Sequence, residues 1–247
     1  MYTLADSDKF AQKVSKKIAG WYNSDDFHNK AVDRIVLQRE EIYSILNGVK
    51  KYDVKKLLEY LDSSGFFYRP SSPNKHHNFP GGLAEHSLGV YRIVEGWNNM
   101  SRDKRTNSEL YLRFLSDKHF DCDIFDGTMD ADDMVIAAIC HDLCKAKHFI
   151  IQGRMIKSHH SSDPEYKNGA HSTLSVKRLK ENGFSSPECE ELLIAVRTHM
   201  KLFTKPNNSS EEKTRTKGRS SMLAIIIWAA DKLDASRHPA GRRHSHF

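Results

Sequence analysis

Apolar residues recur along most of the chain at spacings of three and four, which is the pattern of amphipathic α-helices. Proline, which breaks helices, is absent from residues 1–69 and from residues 81–163. The pattern predicts helices over these segments: Asp6–Tyr22, Asp25–Leu46, a stretch that begins after Asp53 as N-cap, Gly82–Asn99, Asn107–Lys118, Asp130–Lys145, Ala170–Asn182, Pro187–Met200 and Ser220–Ser236. We therefore expect an all-α fold.

Two segments depart from this helical pattern. Residues Gly65–Pro80 are rich in proline, serine, asparagine and histidine, a composition that predicts a loop. Residues Phe149–Lys157 contain two short apolar runs around a Gln-Gly turn, which is typical of a β-hairpin. The sequence has no internal repeat. We expect at most one short hairpin in an otherwise helical bundle.

Several of the predicted helices carry an apolar run that leads into a histidine or an aspartate. His86 lies on the apolar face of its helix, because helical spacing aligns it with the apolar residues around it. The apolar run of a second helix ends in His141 and Asp142. The runs of two further helices lead to His199 and to Asp231. These residues are the first candidates for a functional site.

Burial of these polar residues requires partners for them. An unpaired buried carboxylate is very costly, so Asp142 and Asp231 need a positive charge nearby. Lysine or arginine would serve, but the imidazoles on other helices favour a shared metal ion. Histidine and aspartate suit zinc, manganese, iron or nickel better than calcium or magnesium. Taken singly, a histidine on an apolar face is more often a hydrogen-bonded core residue than a ligand, and an aspartate after an apolar run is often a helix-end charge.

A set of short motifs adds a resemblance to a known family. The motifs stand in this order: Gly65-Phe-Phe-Tyr-Arg-Pro-Ser-Ser72, Pro80-Gly-Gly-Leu-Ala-Glu-His-Ser87, Ile139-Cys-His-Asp-Leu-Cys-Lys145, Gly169-Ala-His-Ser172, Ala195-Val-Arg-Thr-His-Met200 and Ala229-Ala-Asp-Lys232. In these pieces, over about Leu57–Ala235, the sequence resembles the HD-domain superfamily of metal-dependent phosphohydrolases. It is most similar to small bacterial and phage HD hydrolases and to the HD module of certain 3′–5′ exoribonucleases.

The resemblance implies a metal centre and assigns its ligands. The primary set that it implies is His86, His141, Asp142 and Asp231. His171 and His199 match the additional histidines of members that hold two metals, with Asp142 as the bridge. The motif around His171 departs from the family, which has Gly-His-Gly where this chain has Gly169-Ala-His-Ser172. The implied cofactor is one or two divalent transition-metal ions, namely manganese, iron, nickel or zinc.

The resemblance also implies catalytic and substrate-binding residues. Asp142 and Lys145 are the catalytic candidates, since Lys145 matches the family lysine three residues after the His-Asp pair. On a helix Lys145 lies on the same face as His141 and Asp142, where its charge can neutralise a phosphate. The alternative is a solvated lysine at a helix end. His76 and His77, in the loop before the helix of His86, are either substrate contacts or solvated loop residues.

The cysteines give no comparable signal. Four cysteines in 247 residues do not make a disulfide scaffold. Cys140, Cys144 and His148 recur every four residues and suggest a zinc-binding face, but they lack a fourth ligand at suitable spacing. Small cysteines in the protein core are the alternative explanation.

Charge and hydropathy narrow the classes of function. The 38 basic and 32 acidic residues give a net charge of +6, which is compatible with a phosphorylated substrate. Residues 201–220 hold six of the basic residues and two acidic ones, a net +4, in a basic loop. The longest apolar run, Met222–Ala230, is far shorter than the ~20 residues of a membrane span. The first residues do not have the pattern of a signal peptide, so we expect a cytoplasmic protein without a membrane partner.

Together these observations predict an N-terminal helical extension (1–52), an HD domain (53–236) that includes the basic loop, and a tail (237–247). The predicted function is hydrolysis of a phosphoester by a metal-activated water. The predicted partner is a phosphorylated small molecule, such as a nucleotide, or a nucleic-acid end. Two alternatives remain: an HD-fold regulatory module that binds metal without catalysis, and a di-iron oxygenase. The oligomeric state is left open.

Overall fold

The structure is a computed structural model, and it describes residues 4–100, 129–158, 171–200 and 222–238. The chain forms a helical bundle with one two-stranded sheet. The all-α prediction is therefore confirmed. The elements are α1 (Leu4–Lys17), α2 (Asp25–Asn47), α3 (Lys55–Ser64), α4 (Gly82–Asn98), α5 (Ala131–Cys140), α6 (Lys145–His148), β1 (Phe149–Gln152), β2 (Met155–Ser158), α7 (His171–Glu181), α8 (Glu190–Thr198, after a 3-10 turn over Pro187–Cys189) and α9 (Met222–Arg237).

The starts of α2 and α5 follow the capping rules. Ser24 precedes α2, and its hydroxyl accepts a hydrogen bond from the backbone N–H of Phe27 at 3.4 Å. Asp130 precedes α5, and its carboxylate accepts hydrogen bonds from the N–H groups of Asp132 and Asp133, each at 3.0 Å. These bonds satisfy backbone donors that have no partner within the helix.

Four helices form the centre of the bundle. Helix α4 packs on α5 and α9, and α8 packs on α9, α5 and α7. Their apolar faces meet in one core whose members include Trp97, Ile136, Val196 and Ile226, all buried. Ile35 of α2 is buried in the same core, so the N-terminal helices share it. Polar residues on the inner faces of these four helices therefore lie close together.

The β-hairpin prediction is also correct. Strands β1 and β2 pair antiparallel, with Gln152 opposite Met155, and Gly153 takes a left-handed conformation in the turn (φ 55°). Residues 65–80, predicted as a loop, form turns and bends. The predicted helix Asn107–Lys118 and the basic loop 201–220 lie outside the described residues. Within the described ranges, every helix is too short or too polar to cross a bilayer.

Several predicted helix ends differ from the structure, and the N-cap of α3 is Val54 instead of Asp53. The helix predicted to reach Lys145 ends at Cys140, and a turn over residues 141–144 separates it from α6. The imidazole of His141 donates to the carbonyl of Ala138, and this bond competes with the continuing helix for the same acceptor. Helix α1 ends at Lys17 instead of Tyr22, before a left-handed Gly20 (φ 77°).

The last predicted helix to differ begins at Pro187. Its first three residues are a 3-10 turn and its α-helical part ends at Thr198, two residues before the predicted end. Ser186 is the residue before this turn, but its side chain makes no capping bond to the backbone. Its hydroxyl lies 3.4 Å from the Cys189 sulfur instead.

Candidate metal centre

His86 lies on the inner face of α4 and is completely buried. Its Nδ1 is 2.7 Å from Oδ2 of Asp234, on α9. Because a carboxylate only accepts hydrogen bonds, Nδ1 carries the proton and Nε2 points away from Asp234 with its lone pair available. A carboxylate behind an imidazole is the common support of a metal-bound histidine.

Two further histidines are oriented in the same way by backbone carbonyls. Nδ1 of His141 is 2.9 Å from the carbonyl oxygen of Ala138, and Nδ1 of His199 is 2.6 Å from that of Val196. Both imidazoles are completely buried. Since a carbonyl cannot donate, each ring carries its proton on Nδ1 and keeps Nε2 as a potential ligand.

These ring nitrogens meet two buried carboxylates at the centre of the bundle. Nε2 of His86 is 3.1 Å from Nε2 of His141 and 3.2 Å from Oδ1 of Asp231. Nε2 of His141 is 3.5 Å from Oδ2 of Asp142 and 4.0 Å from Oδ1 of Asp231. Nε2 of His86 is 3.6 Å from Oδ2 of Asp142. We call these four residues the primary cluster.

The spacing within the primary cluster fits a transition-metal ion. Ligand atoms that lie 2.0–2.2 Å from one ion stand roughly 3.0–3.5 Å from one another. Two imidazole lone pairs 3.1 Å apart repel unless a cation, either a proton or a metal ion, lies between them. The mixed nitrogen and oxygen donor set suits zinc, manganese, iron or nickel. The residues present therefore fit the metal that the sequence predicts.

Asp142 has a second face. Its Oδ2 is directed at the primary cluster, whereas its Oδ1 is 3.6 Å from Nε2 of His199. Both Oδ1 of Asp142 and Nε2 of His199 are buried, and neither has a hydrogen-bond partner among the described residues. A carboxylate whose two oxygens face two sets of imidazoles has the geometry of a bridging ligand. The rings of His141 and His199 lie 5.1 Å apart, so both sets are close together.

Lys145 adds a positive charge at the same carboxylate. Its Nζ is 2.5 Å from Oδ2 of Asp142. Although α5 ends at Cys140, the following turn keeps Lys145 beside Asp142, as the helical spacing predicted. Its side chain is 13% exposed, so Lys145 is largely but not completely enclosed.

The charges of this cluster shift the pKa values of its members. Burial lowers the pKa of His86, but hydrogen bonds to Asp231 and Asp234 outweigh burial and raise it to about 9. Burial lowers the pKa of His141. Burial favours the neutral form of Asp142, but the charges of Lys145 and His141 outweigh burial and hold the pKa of this carboxyl below its usual range. Burial acts on Asp231 in the same way, and there His86 and His141 lower the pKa of the carboxyl. Both carboxylates are therefore ionised at neutral pH.

The loop before α4 brings two more histidines to the edge of the cluster. The ring of His76 lies 4.9 Å from that of His86, and the ring of His77 lies 5.3 Å from it. His76 is partly exposed, while His77 is buried. Burial lowers the pKa of His76 to about 4, and the positive charges of His86 and Lys145 act in the same direction. His76 is thus a neutral imidazole beside Lys145.

His171, predicted as a ligand of a second ion, begins α7. Its Nδ1 is 3.7 Å from the sulfur of Cys144, and its ring is 5.0 Å from that of His148. Two residues of the suggested zinc-binding face, Cys144 and His148, therefore adjoin His171. Cys140 is buried in the core. The assignment of His171 to a metal ion stays a prediction.

Sequence reasoning missed Asp234. The residue is buried, lies three positions after Asp231 on the same face of α9, and supports His86 from behind. The available signal was a second aspartate one helical turn after the first, in a helix that is otherwise apolar on that face. A near neighbour, His238, was taken for a tail residue, but its ring lies 4.4 Å from that of His77.

Comparison with known proteins agrees with this arrangement. The family model described as "HD domain" matches residues 83–236, which is more than half of the chain and includes every residue of the primary cluster. No curated protein and no solved structure matched the chain. The chain therefore belongs to the HD-domain family, whose members are typically metal-dependent hydrolases.

Proposed function

We propose that this protein hydrolyses a phosphoester bond of a nucleotide or of a nucleic-acid-type substrate in a metal-dependent reaction. The observation that carries the proposal is the buried convergence of three imidazole Nε2 atoms on two ionised carboxylates, with a lysine ammonium group at the edge. The imidazoles and carboxylates suit a metal, and the ammonium group suits the phosphate that binds beside it.

His86, His141, Asp142 and Asp231 would hold the metal ion. When bound, the ion would polarise a phosphoryl oxygen and lower the pKa of a water molecule. The chain itself supplies orientation, because Asp234 holds the ring of His86 and Ala138 holds that of His141. Both rings are completely buried, so bulk water does not compete for the hydrogen bonds that orient them.

Lys145 is the residue that we assign to the phosphate. Its ammonium group contacts Asp142 and has further N–H donors, and the side chain is not completely enclosed, so it can donate to a phosphoryl oxygen. Hydrogen bonds between lysine and phosphate are charge-assisted and therefore strong. In the proposed reaction a water oxygen forms a bond to phosphorus while the bond to the leaving oxygen breaks, and Lys145 offsets charge on the phosphoryl oxygens.

His76 is the second substrate contact that we propose. It is a neutral, partly exposed imidazole whose ring lies 4.9 Å from that of His86. Its Nε2 is buried and has no hydrogen-bond partner among the described residues, so it can bond to a phosphate oxygen or to a bound water. His77 is buried against Asp234, and its predicted part in substrate binding stays a prediction.

A second metal ion is part of the proposal. Asp142 would bridge the two ions through its two oxygens, and His199 would bind the second one through Nε2. His171 would complete that second set. The support is the 3.6 Å approach of Oδ1 of Asp142 to Nε2 of His199, both buried. Two ions about 3.5–4 Å apart are common in enzymes that cleave phosphoesters.

The proposed substrate class rests on charge as well as on the site. Residues 201–220, with a net charge of +4, connect His199 to α9, which carries Asp231. These residues lie outside the described ranges; the helix before them ends next to His199, and the helix after them carries Asp231 nine residues from its start. Replacing Lys213, Arg215, Lys217 and Arg219 with serine should raise KM at low salt and flatten its salt dependence, without a change in metal content.

The proposal is tested by metal analysis followed by a hydrolysis screen. Protein purified without chelator should contain manganese, iron, nickel or zinc, and a panel of phosphodiesters and nucleotides should be turned over once that metal is restored. Metal without turnover of any phosphoester would instead favour a regulatory module. An oxygen-dependent product with a mixed-valent di-iron spectrum would favour the oxygenase alternative.

A further inference from the structure

A second group of potential metal ligands lies on the side of His86 that faces away from the primary cluster. It consists of His77, from the loop before α4, and of Asp234 and His238, from the C-terminal end of α9. One ligand atom from each of the three residues lies within 4.8 Å of the others. His77 and Asp234 are buried, whereas His238 is exposed. The group therefore opens to the surface on one side.

The spacing of these residues is that of ligands and not of a hydrogen-bonded pair. Nδ1 of His77 is 3.7 Å from Oδ2 of Asp234, which is too far for a hydrogen bond. Two ligands that bind one ion at about 2.0–2.2 Å reach this separation when the angle at the ion is wide. His238, the first residue after α9, follows Asp234 by four residues, which is the spacing of about one helical turn.

The backbone holds His77 in position before any ligand binds. His77 has a φ of 50°, which is uncommon for a residue other than glycine. The N–H of Ser71 donates to the carbonyl of His77 at 3.1 Å, and the hydroxyl of Ser72 donates to that of His76 at 2.7 Å. Gly82 approaches so closely that a Cβ at that position would overlap the carbonyl oxygen of His77. Strained conformations of this kind cost about 1–3 kcal/mol and concentrate at functional sites.

The charge of Asp234 also points to a cation. Among the described residues, the groups that pair with its carboxylate are the imidazoles of His86 and His77, and no lysine or arginine is one of them. A buried carboxylate needs a positive charge beside it, and a metal ion on Nε2 of His86 would leave that ring without one. A divalent ion bound by Asp234 would supply it.

We propose that His77, Asp234 and His238 bind a divalent transition-metal ion, with zinc as the best match, at a site separate from the primary cluster. Two imidazoles and one carboxylate are a frequent zinc-binding set, and the exposed side leaves the fourth position to water. The ion would tie the end of α9 to the loop that carries His76. Through Asp234, which also supports His86, its binding is coupled to the primary cluster.

The number of ions bound by variants of the full-length chain tests this proposal. Zinc is titrated by calorimetry and counted by elemental analysis, and cobalt serves as a spectroscopic substitute. His238→Ala should lose one ion equivalent relative to the parent, because His238 is exposed and its replacement leaves the core intact. Arg237→Ala, an exposed neighbour on the same turn, is the matched control and should bind as many ions as the parent.

A second variant separates this site from the primary cluster. His141→Ala should keep the ion that depends on His238, whereas the double variant His141→Ala/His238→Ala should lose it. If His238→Ala and Arg237→Ala bind the same number of ions with the same affinity, no metal ion binds to His77, Asp234 and His238, and the proposal is wrong. Because the readout is the ion count, a failure of phosphoester hydrolysis does not affect this result.

Should His141→Ala not fold, imidazole NMR of the folded parent gives the answer instead. Zinc, which is diamagnetic, should shift the ring resonances of His238 until one ion is bound at this site, and should leave those of His28, which pairs with Ser15, in place. Unshifted resonances of His238 in protein that has bound all its ions would overturn the proposal.

Discussion

Gly89 of α4 lies directly against the carboxylate of Asp234 on α9, so closely that a Cβ at Gly89 would overlap Oδ1 of Asp234. Asp234 in turn accepts a hydrogen bond from Nδ1 of His86. The glycine is therefore needed for space and not for backbone flexibility. Its absent side chain lets the carboxylate reach the histidine between two packed helices.

The first prediction follows from this contact. Gly89→Ala should displace Asp234, release the ring of His86 and lower metal affinity by about 10–100-fold, the usual effect of losing the carboxylate behind a metal-bound histidine. Gly96→Ala on the same helix is the control, because a Cβ there meets nothing within 4 Å. The control should be neutral or slightly stabilising, since alanine favours helices by up to about 1 kcal/mol. Equal metal affinities in the two variants would contradict the prediction.

The second prediction concerns the bridging position of Asp142. Asp142→Ala should reduce kcat on the order of 10³-fold or more, because it removes a ligand whose ion contributes several kcal/mol to the transition state. Asp133→Asn is the control: it too is buried, but its carboxylate pairs with Lys51 and Tyr52 instead. Asp133→Asn should lower thermal stability and leave kcat of the folded fraction unchanged. Normal turnover by Asp142→Ala would refute the proposed mechanism.

The third prediction addresses the second ion of the primary centre. His199→Ala should reduce the number of bound manganese or iron ions by one while the ion held by the primary cluster stays. His28→Ala, which removes an imidazole that pairs with Ser15 of α1 instead, is the control. An unchanged ion count in His199→Ala would leave His199 as a contact for water or phosphate.

The fourth prediction is a pH dependence of stability in the metal-free protein. The pKa of His86 is raised to about 9 in the folded state, from about 6.5 in an unfolded chain. The proton on His86 thus stabilises the fold fully below pH 6.5, and this contribution is lost as the pH rises through about 9. Asp142 and Asp231 have lowered pKa values, so their contribution to stability changes only at acidic pH and is constant between pH 6.5 and pH 9.

Thermal unfolding with a chelator should therefore show Tm falling between pH 6.5 and pH 9. A bound metal replaces that proton, so the loaded protein should gain Tm relative to the chelated one over the same range. A chelated protein whose Tm is constant from pH 6.5 to 9 would show that His86 is not protonated in the folded state.

Much of the fold was predictable because its determinants are local. Helix periodicity located α2, α4 and α9 to within two residues at most of their ends. The two apolar runs around Gly153 predicted the hairpin correctly. One error lies where a side chain competes with the backbone for a hydrogen-bond acceptor. The imidazole of His141 donates to the carbonyl of Ala138 at the point where α5 ends.

The sequence by itself determined which residues were candidates for the site. His86, His141, Asp142, His199 and Asp231 each interrupt an apolar helix face, and a buried polar group must find a partner. Spacing along one helix contains no information about the neighbouring helix, however. Only the tertiary structure decided that Asp142 turns one oxygen to His141 and the other to His199, and that Asp234 supports His86 through the space left by Gly89. These relationships depend on how α4, α5, α8 and α9 pack, and packing is set by the whole core and not by any local pattern.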